Sequence, residues 1–71
     1  MPDREDFRTL LERCGETQSS LARLLRVSRI SVNHWVKGRA RPYPRNVRAI
    51  ADALQQPLKR VQAALEASRP T

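Results

Sequence analysis

Thr17-Gln18-Ser19-Ser20-Leu21-Ala22-Arg23-Leu24-Leu25-Arg26-Val27-Ser28-Arg29-Ile30-Ser31-Val32-Asn33-His34-Trp35-Val36-Lys37-Gly38 decides the fold of this chain. Thr17 is a residue type that caps helix starts, and Leu21, Ala22, Leu24 and Leu25 then supply a buried face, so a helix is expected to about Leu25. Arg26-Val27-Ser28 forms a turn of three residues. Ser28 can cap a second helix, and Val27 before it faces Val32 at the fourth helical position, the spacing of a hydrophobic staple. Two helices are thereby fixed at a sharp angle.

The second helix, Arg29 to Lys37, divides at ~100° per residue into two arcs. Arg29, Ile30, Asn33, His34 and Lys37 share one, which is rich in hydrogen-bonding groups. Ser31, Val32, Trp35 and Val36 share the other and read as inner packing. Trp35 is placed in the core rather than on a base-stacking platform. Ile30 is open between an outward apolar contact and partial burial beside the staple. Gly38 ends this helix.

Working outward, Phe7, Leu10, Leu11 and Cys14 fall at i, i+3, i+4 and i+7, so a helix is expected from about Asp3 to Cys14. Asp3 can cap it, Glu5 and Asp6 fall in its first turn, and Gly15 can stop it. Downstream, Arg39-Ala40-Arg41-Pro42-Tyr43-Pro44-Arg45 is a basic loop, with Pro44 suited to open a fourth helix. Val47, Ile50, Ala51 and Leu54 form its stripe. Gln55-Gln56 breaks the pattern, and after Pro57 a fifth stripe follows as Leu58, Val61 and Leu65. The expected fold is all-α: one compact five-helix domain over residues 1–67, with 68–71 as a frayed tail. Its expected core is Phe7, Leu11, Leu21, Leu25, Val32, Trp35, Val47, Ile50, Leu54 and Val61.

Charge is segregated along the chain. Thr17 to Ala51 holds eight Arg or Lys and no acid, while all seven Asp and Glu residues lie outside it; the net charge is +7. Solvated faces ordinarily mix signs, so the expected partner of this surface is a polyanion. No apolar run reaches the roughly 20 residues that span a bilayer, and the acidic start is unlike a signal peptide. One cysteine excludes an internal disulfide and suits a reducing cytoplasm. With one cysteine and one histidine, no metal site and no cofactor is expected. Ser28 and Ser31 lack a base and an orienting acid, so an enzyme is not expected.

A helix of about 10–12 Å diameter fits the major groove of B-DNA, where every base pair shows its own donor and acceptor pattern. Arg29 can form a bidentate pair with guanine and Asn33 can read adenine. His34 can donate to a purine edge or phosphate, and Ile30 can rest on a thymine methyl. Lys37, Arg39, Arg41 and Arg45 can neutralise phosphates, as can the helix starts at Thr17, Gln18 and Ser28.

Thr17-Gln18-Ser19-Ser20-Leu21-Ala22, Val27-Ser28, Val32, Trp35, Gly38, Pro42 and Ile50-Ala51-Asp52-Ala53-Leu54 together resemble the Cro/phage-repressor, or xenobiotic-response-element, family of helix-turn-helix proteins. The resemblance covers nearly all of Phe7 to Leu65. It implies a lambda-repressor-like DNA-binding domain acting as a homodimer on a palindromic operator. It further implies that Gln18 bonds a phosphate and braces the recognition helix, that Arg29, Ile30 and His34 reach base edges, and that Lys37 meets phosphate. A repressor in the cytoplasm, associated with the nucleoid, is the implied function. An antitoxin with a toxin partner, or a protein-interaction module that lost DNA binding, are the alternatives.

The chain departs from that family's pattern at four points. Arg26 stands where Gly is frequent, which calls for a left-handed residue with a side chain. Ser20 stands where Glu commonly completes a capping box, and Val36 where Glu is frequent. Gln55-Gln56 replaces a common Gly-Val. Loss of two acids makes the expected DNA face more positive, favouring tight, salt-sensitive binding.

Overall fold

The computed structural model describes residues 5–69. Five helices follow in order: α1 (Phe7–Arg13), α2 (Gln18–Leu25), α3 (Arg29–Val36), α4 (Pro44–Leu54) and α5 (Leu58–Ala67), with no strand among the described residues. α2 packs on α3 and α4, α5 on α4 and α1, and α1 on α3, so a single core is enclosed. Phe7, Leu10, Leu21, Val32, Ile50 and Val61 are its fully buried members, one or two from each helix.

Local chemistry sets the helix starts. The Asp6 carboxylate accepts from the Thr9 amide at 2.9 Å and caps α1. That amide bond, first among its causes, holds the Asp6 carboxyl below its ordinary value. Asp3 lies outside the described residues. Glu5, expected in the first turn, instead precedes the helix and joins α1 to α5, taking Arg13 Nε at 3.1 Å and Arg60 Nε at 3.0 Å. The Glu5 carboxylate in turn raises the Arg60 guanidinium above its usual value.

Helix ends share one device. At α1, α2, α3 and α4 a left-handed residue follows the helix: Gly15, Arg26, Gly38 and Gln55, with φ of 73°, 59°, 72° and 55°. The next amide in each case reaches back five residues: Glu16 to Leu11 O at 2.9 Å, Val27 to Ala22 O at 3.0 Å, Arg39 to His34 O at 2.9 Å and Gln56 to Ala51 O at 3.0 Å. These are Schellman ends, which satisfy carbonyls that the helix leaves open. Arg26 and Gln55 adopt, at a steric cost, a conformation that glycine takes freely.

Burial departs from the sequence pattern in several places. Leu24 is 58% exposed rather than buried. It lies roughly 110° around α2 from the middle of the arc that Leu21, Leu25 and Ala22 define. Leu25 and Val47 are half-buried against the core rather than inside it, as is Cys14. Ala64, which the stripe of large residues did not include, is buried between Val61 and Leu65 on α5. Ser68, expected in a frayed tail, caps α5, and its Oγ accepts from the Phe7 amide at 2.8 Å.

Candidate nucleic-acid interface

α2 and α3 present the proposed DNA face, and short-range hydrogen bonds hold both in place. The Thr17 hydroxyl accepts from the Ser20 amide at 3.0 Å, and Ser20 Oγ accepts from the Thr17 amide at 2.8 Å. Ser20 thus completes the capping box in place of glutamate, and its hydroxyl donates on to Glu16 Oε1 at 2.5 Å. The box occupies the Thr17 and Ser20 amides, whereas those of Gln18 and Ser19 lie at the helix start where no helical carbonyl can reach them. Ser28 Oγ accepts from the Ser31 amide at 3.1 Å and caps α3.

α3 is eight residues, or about 12 Å, long. On its inner arc Val32, Trp35 and Val36 are buried, whereas Ser31, expected to pack with them, is half-buried and its hydroxyl pairs with Ser28 Oγ at 3.0 Å. On its outer arc Arg29, Ile30 and the capping Lys37 are exposed. Ile30, at 68% exposure, is free of the staple, which decides between its two readings from sequence. Asn33 and His34 are half-buried, so the outer arc is a ridge at its start and end with a lower middle.

In the middle of that ridge Gln18, expected to brace this helix, meets a partner that the sequence did not name. Asn33 Nδ2 donates to Gln18 Oε1 at 3.1 Å, tying the first residue of α2 to the centre of α3. Gln18 braces α3 through this bond. Asn33, expected from sequence to read adenine, therefore has one of its N–H groups engaged, and this bond leaves its second N–H and its Oδ1 unused.

The cations divide into two sets. Arg23, Arg26, Arg29, Lys37, Arg39, Arg45 and Arg48 have no carboxylate partner among the described residues, and Arg45 lies 5.7 Å from the centre of the Tyr43 ring. Arg41 differs. Its Nη2 donates to Glu66 Oε2, so its guanidinium is turned toward α5 while the side chain stays exposed. Tyr43 is exposed at the start of α4, where it supplies the backbone cap position but no side-chain cap bond.

Behind this loop, Pro42, Pro44, Val47, Leu58 and Leu65 line a mostly apolar groove of about 410 Å³, with Arg41, Arg48, Gln62 and Glu66 at its edges. Val61, placed beside Leu58 and Leu65 in the sequence stripe, is fully buried and does not reach the groove.

A helix-turn-helix domain family model matches residues 5–65. No curated protein and no solved structure showed a significant match. With capped helices joined by a three-residue turn and the family match spanning nearly the whole chain, the protein belongs to the helix-turn-helix domain family. The all-α fold agrees with it, and the family supports a DNA-binding regulator. No helix among the described residues is long and apolar enough to cross a membrane.

Proposed function

We propose that the chain is a sequence-specific transcriptional regulator, a Cro-like repressor that binds a palindromic operator as a homodimer and catalyses no reaction. One observation carries this function: α3 exposes Arg29 and Ile30 beside half-buried Asn33 and His34, and the surrounding cations lack carboxylate partners among the described residues. Arg29, Ile30, Asn33 and His34 read base edges in the major groove. Thr17, Gln18, Ser28, Lys37, Arg39, Arg41 and Arg45 contact phosphates, with affinity coming from counterion release. No cofactor or metal takes part, and the site of action is the cytoplasm.

A homodimer would place two α3 helices about 34 Å apart on one face of the duplex. The dimer surface expected from sequence is the α5 stripe of Leu58, Val61 and Leu65; because Val61 is buried, we place it on the groove edge around Leu58 and Leu65. The alternative is an antitoxin whose toxin occupies the same groove in place of a second copy.

Selection of duplexes from a random pool, followed by titration of the selected site, tests both levels. Arg29→Ala is expected to cost about 1–3 kcal/mol on that site and to relax preference at one base. Arg39→Ala is expected to weaken all duplexes alike. Uniform loss for Arg29 with selective loss for Arg39 reverses the assigned roles, and a 1:1 complex at saturation removes the dimer.

A further inference from the structure

Glu66 is brought by the fold into a surface whose own sequence contains no acid. Thr17 to Ala51 holds eight cations, and among the described residues only Arg41 of these has a carboxylate partner. That partner is Glu66, 25 positions away on the last turn of α5. Both side chains are open to solvent, at 62% and 47% exposure, so the pair can exchange partners. The second Glu66 oxygen, Oε1, accepts from Arg69 Nη1 at 3.2 Å.

We infer that Glu66 is an intramolecular competitor for DNA phosphate, holding the Arg41 guanidinium in the free protein and yielding it on DNA. Carboxylate and phosphate offer a guanidinium the same kind of paired oxygen acceptors, so one can replace the other without rebuilding the loop. Arg69 remains on Glu66 when Arg41 leaves, and the carboxylate is not stranded. The exchange lowers affinity for every duplex by a similar factor and leaves base preference untouched, because Arg41 meets only backbone. Its weight falls as salt screens the exposed pair. Glu66 thus sets the affinity of the interface from a helix outside it.

The inference rests on the DNA-binding function proposed above. The test is a titration of labelled duplexes, one operator and one unrelated, by the full chain at 50 and 200 mM salt. Wild type, Glu66→Gln, Glu66→Ala, Arg41→Gln and the double variant Glu66→Gln/Arg41→Gln are compared, each checked for helix content. Removing the acid is expected to tighten binding to both duplexes by about two- to fivefold at 50 mM salt, the range of an exposed ion pair. The gain should shrink at 200 mM. In the Arg41→Gln background it should fall to the general effect of one lost negative charge, measured by Glu12→Gln, whose parent is exposed on α1. An equal gain with and without Arg41, or none, overturns the inference while DNA binding stands. Absence of salt-dependent binding in every protein overturns the proposed function and the competition together.

Discussion

Gln55 and Gly15 hold the same backbone conformation at equivalent helix ends, and exchanging their residue types measures what a side chain costs there. Both sit at the left-handed position of a Schellman end, at φ 55° and 73°. A residue with a Cβ costs roughly 1–2 kcal/mol in that region, whereas glycine is free to enter it. Glycine also loses more chain entropy on folding, by roughly 0.5–1 kcal/mol. Gln55→Gly is therefore expected to stabilise the domain by about 0.5–1 kcal/mol. For a domain of this size that raises the midpoint of thermal unfolding by roughly 2–8 °C, followed by loss of helical circular dichroism. Gly15→Ala should lower it by a similar amount through backbone strain alone, since an added Cβ meets nothing within 4 Å. Gln55→Ala separates conformation from side-chain loss, because alanine keeps the Cβ. A midpoint for Gln55→Ala equal to that for Gln55→Gly would refute the strain account. Arg26→Gly, with φ 59° in the helix-turn-helix turn itself, should behave as Gln55→Gly does.

Two further outcomes are expected. Asp6→Ala should cost about 0.5–2 kcal/mol by removing the α1 cap, measured by urea unfolding. The folded Asp6 carboxyl titrates below its unfolded value, so its contribution is complete above about pH 4 and is lost as pH falls through the folded value; a pH series on wild type and Asp6→Ala should converge in acid. Gln18→Ala and Asn33→Ala should each destabilise, and their double-mutant cycle should return a coupling of about 0.5–1.5 kcal/mol. Strict additivity would mean that the bond does not persist in solution.

Much of the fold was legible because helix starts and stops are local. Thr17, Ser28 and Gly38 act within one turn of their own positions, and the inner arc of α3 follows from its period. Leu24 misled because leucines three and four apart look equally inward until the centre of the buried arc is known, and small Ala22 moves that centre. Asp6 is of the same residue type as Asp3, the cap expected from sequence, and it caps α1 because Phe7 enters the core at the first helical position. On the candidate DNA face, the exposure of Arg29, Ile30 and Lys37 was legible in the period of α3, but the contacts between elements were not. Gln18 with Asn33, and Arg41 with Glu66, meet across 15 and 25 positions through helix angles and side-chain reach. Composition and period contain neither quantity.

The bond from the Phe7 amide to Ser68 and the double use of Glu5 by Arg13 and Arg60 fasten the outermost helices to each other like a clasp. α1 in turn backs α3, so peeling either outer helix away undoes the seat of the inner one. A domain closed this way has its first and last helices tied to one another as well as to the core between them.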